Sequence, residues 1–199
     1  MSESKSVSSE DVAVPLFRLS FPQLAEAKPN QQGTLKFSDV MLFPPGTDFT
    51  ELRRIVKEVV EEVKRRNGGE LPANFRASPF RKAEEKAHLD GYEPGWIFAG
   101  ASANVDYPPL LVDQQLNPIK PGDVRRELYA GCWCYGTVNA YSYDAKGNRG
   151  VSFGLRVVQK ARDDSAFGGG GAAASLSLLN QVKDDGKPAP EGDDDDMFN

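Results

Sequence analysis

Histidine, cysteine and long apolar runs are all scarce in this 199-residue chain, and each scarcity narrows what it does. His88 is the only histidine, so neither a histidine metal site nor a histidine dyad has a second member. No spacing of Cys, His, Asp or Glu suits a metal, and no cofactor is expected. The glycine run at residues 168–171 lacks the Lys-Ser/Thr that completes a phosphate loop, so it reads as linker. Asp106 and Asp113 have nothing in the sequence that pairs them. An enzyme is therefore disfavoured. Cys132 and Cys134 are two residues apart on one strand face, a poor placement for a disulfide. They are expected to be reduced, small and buried, as in a cytoplasmic protein. No run of about 18 apolar residues predicts a membrane span. The opening MSESKSVSSEDV has no apolar signal core, so secretion is not expected.

Charge is unevenly distributed. The chain has 24 basic and 29 acidic residues, for a net −5. Nine of the acids and two of the bases follow Arg162, which leaves 22 bases against 20 acids before it. A slightly basic body thus carries a strongly acidic tail, a balance compatible with a polyanion partner.

Residues 128–160 organise the chain. Leu128, Ala130, Cys132, Cys134, Val138 and Ala140 share one parity, and Tyr129, Trp133, Tyr135, Tyr141 and Tyr143 share the other. Strand side chains alternate between faces, so this predicts a small-residue core face and an aromatic outer face. Residues 144–148 form a turn rich in Gly and Asn. A second strand follows, with Val151, Phe153, Leu155 and Val157 inward and Arg156 and Lys160 outward. The first run is too long for one straight strand, so a bulge or bend is expected at Gly131 or Gly136. An aromatic face with nearby cations can stack nucleobases and hold phosphates. Equally, it can pack beneath a helix or against a second subunit.

The remaining elements are read from periodicity. Residues 14–24 and 33–44 read as strands, the second with Leu35 and Phe37 inward and Lys36 outward. Phe49, Leu52, Ile55, Val56, Val59, Val60 and Val63 predict a helix over about residues 48–66, with Asp48 and Glu51 as a capping box. Residues 70–95 are irregular; Arg76, Arg81, Lys82 and Lys86 alternate there with Phe75, Phe80 and Tyr92, as either a solvated or a polyanion-contacting loop. Residues 96–103 and 110–113 read as strands, and residues 117–127 as a loop carrying Arg125 and Arg126. The predicted domains are a disordered residue 1–12 segment, a folded body over 13–162 and a flexible acidic tail over 163–199. The fold class is mainly β: an OB-type five-stranded barrel with one lid helix.

The blocks FRLSFPQL, MLFPPGTD, GYEPGWIFAGAS, PPLLVDQQLNPI and ELYAGCWCYGTVNAYSYDAKGNRGVSFGLRVVQKARD occur in that order over about residues 15–165. With them the chain resembles the phage-type OB-fold single-stranded-DNA-binding proteins of bacteriophage replication and recombination. The resemblance implies sequence-tolerant ssDNA binding in a bacterial host cell, with no catalytic residues. It implies stacking from among Tyr129, Trp133, Tyr135, Tyr141 and Tyr143. It also implies phosphate contacts from Arg156, Lys160, Arg125, Arg126, Lys36, Arg81 and Lys82. The ending Asp193, Asp194, Asp195, Asp196, Met197, Phe198 and Asn199 fits a tail that competes with DNA and recruits replication proteins such as a polymerase or helicase. In the family the aromatic residue more often comes last. A homo-oligomer is compatible with the sequence. The competing reading is a protein-interaction module that uses the aromatic face without nucleic acid.

Overall fold

The computed structural model describes residues 6–30, 32–145 and 147–168. The tail residues Asp193 to Asp196 and Phe198 lie outside them. The elements are β1 (Val12–Pro29), β2 (Leu35–Phe43), α1 (Thr50–Arg66), β3 (Phe75–Arg76), β4 (Arg81–Lys82), β5 (Ile97–Asn104), β6 (Leu110–Val112), α2 (Val124–Glu127), β7 (Trp133–Ala145) and β8 (Asn148–Arg162). Strands run in the order β3-β8-β7-β1-β2-β5-β4, and β8 also pairs in parallel with β5. That last pairing, Ala101 opposite Phe153, closes β1-β2-β5-β8-β7 into a five-stranded OB-type ring.

Strand parity fills the interior. Phe17 and Leu19 from β1, Met41 and Phe43 from β2, Cys134, Val138 and Ala140 from β7, and Phe153 and Leu155 from β8 are all buried. Each large apolar side chain so buried contributes about 1.5–3 kcal/mol. The apolar stripe of α1 closes one end, with Leu52, Ile55, Val56 and Val59 buried in the same core. Phe49 bridges helix and barrel, its ring 5.1 Å from that of Phe43.

Several expectations need correction. Asp48 and Glu51 form no capping box. Asp48 Oδ1 instead accepts from the Thr50 amide at 2.8 Å and hydroxyl at 2.6 Å, while Glu51 faces Arg54 along the helix. Leu35 is half exposed, because β2 has emerged from the barrel there. The alternation of β8 breaks where Thr137 pairs Val157 but Val138 pairs Leu155, so Arg156 is an extra, bulged residue. Val158 therefore points inward in place of Val157, and Lys160 turns inward with it. Residues 128–132 are not yet strand. They form a corner at Gly131, φ +109°, before β7 begins at Trp133.

Both chain ends of the predicted body extend further than composition indicated. Residues 7–9 continue the β1–β7 pairing: Ser142 N–H donates to Val7 O, and Ser9 N–H to Ala140 O, each at 2.8 Å. Val7 is buried. At the other end, residues 163–167 are docked on the barrel, as the contacts of Asp164 and Phe167 below make clear.

Candidate nucleic-acid interface

Five strands and the β4 edge contribute one lateral row of outward residues. In register these are Arg81, Phe98, Leu42, Arg18, Trp133 and Arg162. Guanidinium groups lie against rings along the row. Arg81 is 5.2 Å from the Phe98 centroid, and Arg18 and Arg162 are 5.9 and 4.6 Å from that of Trp133. Such contacts favour cation and ring alike, and more so where water is excluded.

Beyond that row, the outer face of β1, β2 and β5 has a floor of mostly small residues. The next rows are Ser20, Val40 and Gly100, then Gln23, Ser38 and Ser102, then Lys28, Lys36 and Asn104. A side chain at Gly100 would meet no atom nearer than the Asp39 carbonyl at 3.8 Å, so the space above it is open. From Leu42 to Lys36 the floor runs about 20 Å at the usual strand rise. At its lysine end Asn104 also lines a cleft of about 1050 Å³ with Tyr141, Tyr143, Arg149 and Phe75. The cleft lies beside the β7–β8 turn. In OB barrels the face of the second and third strands, framed by this loop and the first hairpin loop, is where oligonucleotides bind.

At the other end, residues 83–96 roof part of the face. Ala83 and Tyr92 bury Leu42 and Phe98 in a second apolar cluster. The Tyr92 ring is 5.4 Å from Phe98, and its hydroxyl is 3.3 Å from that of Ser20. Phe21 stands at the margin of this roof, 51% exposed, with φ +44°. It belongs to a bulge, since Ser20 pairs Val40 but Gln23 pairs Ser38. Pattern reading passed over Phe21. Its signal was the Phe21-Pro22 pair inside a strand, where proline marks a bulge or edge.

The Trp133 end of the row is closed. The segment after β8 folds back, and Asp164 Oδ2 accepts from the Trp133 indole N–H at 2.7 Å. Arg18 donates to Ser165 O at 2.9 Å, reaches Asp164 at 3.4 Å and lies 4.5 Å from the Phe167 centroid. Phe167 N–H donates to Ala130 O at 2.9 Å. Trp133 is left 9% exposed. Its indole N–H, then the Ser165 amide, hold the Asp164 carboxyl below the usual carboxylate range. Tyr129 is half-buried beside the core, and its hydroxyl donates to Asp163 at 2.9 Å. Lys160 is 5% exposed; its Nζ donates to Glu127 O and meets Asp163, each at 2.7 Å. Burial is the largest single effect and lowers its pKa, but the hydrogen bond and charge of Asp163, with smaller help from Cys132 and Glu127, together raise it. Three of the expected contact residues thus hold the chain to itself.

The remaining expected residues occupy three other places. Tyr135 is exposed on β7, and Tyr141 and Tyr143 flank the cleft. Arg156, on the β8 bulge, pairs with Asp11 at 3.1 Å. Arg125 and Arg126 are exposed on α2, near Glu26, and near Asp123 and Glu127, respectively. Lys36 lies on the floor, and Arg81 and Lys82 on its far edge. His88 is exposed. Cys132 and Cys134 are buried free thiols with sulfurs 3.7 Å apart. Among the described residues no group of three or more His, Cys, Asp or Glu could hold a metal ion. No helix there is long and apolar enough to cross a membrane.

Comparisons with known proteins agree with this architecture. Residues 10–186 match the family described as the ssDNA-binding protein of Enterobacter phage Enc34. Putative protein p50 of Acyrthosiphon pisum secondary endosymbiont phage 1 is 34% identical over 164 residues, covering 79% of this chain and 86% of that protein. The fold is shared with the single-stranded DNA-binding protein of bacteriophage Enc34, solved in complex with ssDNA. The TM-score is 0.62 at 21% identity, over 83% of this chain and 99% of that one. It is also shared with gp2.5, a single-stranded DNA-binding protein encoded by bacteriophage T7, at TM-score 0.54 and 14% identity, over 90% and 98% of the two chains. The matched family is one of binding proteins rather than enzymes. With nearly its whole length matched, this chain belongs to the Enc34 phage ssDNA-binding protein family.

Proposed function

We propose that this protein binds single-stranded DNA with little regard to sequence, along the outer face of β1, β2 and β5. The observation that carries this reading is the open floor from Gly100 and Val40 to Lys36, flanked by aromatic and cationic side chains, in a chain of this family. Bases stack on exposed rings, each worth roughly 1–3 kcal/mol, and cations neutralise phosphates. Lys28, Lys36, Arg81, Lys82 and Arg149 border the path. Tyr141 and Tyr143 continue it at the cleft, and Tyr135, Arg156, Arg125 and Arg126 offer contacts to longer strands. In this reading Trp133, Tyr129 and Lys160 act indirectly, by holding residues 163–167 in place.

The role is protection and organisation of ssDNA during phage replication or recombination in the host cell. The acidic ending, with Asp193 to Asp196 and Phe198, competes with DNA for the same cations and recruits replication proteins when displaced. Its tethering raises its effective concentration near the face.

The test is a salt titration of binding to labelled oligo(dT), oligo(rU) and a matched duplex, with the full chain and a deletion of residues 186–199. Preferential oligo(dT) binding is expected, tightened by the deletion. Absence of binding to all three at low salt, even after the deletion, refutes the reading and leaves the protein-interaction alternative.

A further inference from the structure

Phe21 combines two features that folding alone does not favour. Its ring is half exposed, and its backbone occupies the left-handed region, rare and strained for a bulky residue. The bulge responsible lies between the rows of Arg18 and Gln23, at the head of the open floor. Bulges of this kind re-aim a side chain. Here the ring comes to 6.5 Å from that of Tyr92 and 5.7 Å from the Lys86 ammonium. Lys86 is also within 5.6 Å of the Tyr92 centroid and 5.0 Å of that of Phe98. No carboxylate among the described residues pairs with Lys86. An exposed ring beside an ammonium that faces three rings and, among the described residues, forms no ion pair suits a nucleotide: a flat base and a phosphate.

We propose that Phe21 is a base-stacking residue and Lys86 the phosphate contact of the same nucleotide. This rests on the ssDNA-binding reading and extends it to a specific subsite. The ring supplies a π-face without hydrogen-bond readout, so the subsite accepts any base. Tyr92 and Phe98 support it from below and are too buried to stack themselves.

The experiment measures anisotropy of labelled oligo(dT) with the full chain at several salt concentrations, for wild type, Phe21→Leu, Phe21→Tyr and Lys86→Gln, with melting temperatures alongside. Phe21→Leu keeps apolar bulk but loses the π-face. It is expected to bind roughly 5- to 150-fold more weakly, with an unchanged salt slope. Phe21→Tyr should bind within two-fold of wild type. Lys86→Gln should bind more weakly at low salt and lower the slope by about one charge. Wild-type affinity in Phe21→Leu, when wild type binds oligo(dT), overturns the subsite and leaves the general reading intact. Equal losses in Phe21→Leu and Phe21→Tyr, with lowered melting temperatures, also overturn it, since Phe21 would then be structural. Absence of binding by wild type itself removes both the function and the subsite.

Discussion

Phe21 and Trp133 are large aromatics on the same outer surface, yet one is 51% and the other 9% exposed. Alternation alone places Trp133 outward but would put Phe21 inward with Phe17 and Leu19, so parity does not predict which ring stays open. A covering segment and a bulge do. Trp133 is sealed by residues 163–167, through the Asp164 carboxylate on its indole and the stack of Phe167 on Arg18. Phe21 is pushed out by a bulge in its own strand and lies half exposed beside Tyr92 and Lys86. An aromatic face read from sequence is therefore a set of candidates, and the covering segments select those left for a ligand.

The largest test of this contrast acts at Gly131. Its φ of +109° is strained for any side chain, and a Cβ there would collide with Ser165 O and crowd the backbone of Ala166 and Phe167. Gly131→Ala should cost about 2–4 kcal/mol, seen in denaturant midpoints, and free the sealing segment. Trp133 emission should become accessible to acrylamide in a Trp96→Phe background. Retained stability and a still-shielded Trp133 would show that the segment does not depend on this corner.

A smaller effect belongs to the barrel interior beneath the open side. Asp39 lies on β2 between the Ser20 and Gln23 pairings, opposite the Phe21–Pro22 bulge, and is wholly buried with neither carboxylate oxygen hydrogen-bonded. Burial raises its pKa from 3.8 to about 7. The folded state therefore holds a proton that the unfolded state releases between these values. Stability from this group is greatest below pH 3.8, falls through the window and is gone above about 7. Between pH 5 and 8 that amounts to about 2–3 kcal/mol. Asp39→Asn, which stays neutral, should flatten this decline. An equally steep decline in the variant would assign it to other groups.

The contrast also marks where sequence reading succeeds. The period of α1 and the alternation of β7 were legible because each is a local pattern imposed by one packed face. The inward turn of Lys160 was not, because the extra residue near Gly136 falls on the partner strand, at Arg156, where it flips the parity of β8. The residue 163–167 segment has the composition of a tail. Its order comes from partners such as Arg18, 147 residues from Ser165 in sequence, which no window can see. Phe21 fell inside a stretch, residues 14–24, read only as a strand. Only the adjacent Pro22 hinted that the strand was interrupted.

Asp164→Asn sharpens the comparison without straining the backbone. It removes the charge facing Arg18 and weakens the acceptor for the Trp133 indole. Quencher access to Trp133 should rise, by less than in Gly131→Ala, while affinity for oligo(dT) stays within about two-fold, because the ligand path runs over the Phe21 side. A clear gain in affinity would instead move the stacking site to Trp133 and make the seal a competitor.

The smallest effects belong to the outlying cations. Arg156 and Arg125 are exposed and already face Asp11 and Glu26. Exposed pairs contribute little to stability, so Arg156→Gln and Arg125→Gln should leave the melting temperature unchanged. Each should reduce the salt slope of oligo(dT) binding by less than one charge, since binding must also displace the carboxylate partner. Lys36→Gln provides the comparison, because it lies on the floor itself and should remove about one full charge from the slope. Equal slopes for all three variants would mean that the strand wraps the barrel rather than following the β1, β2 and β5 face, and the division between an open and a closed side would lose its functional meaning.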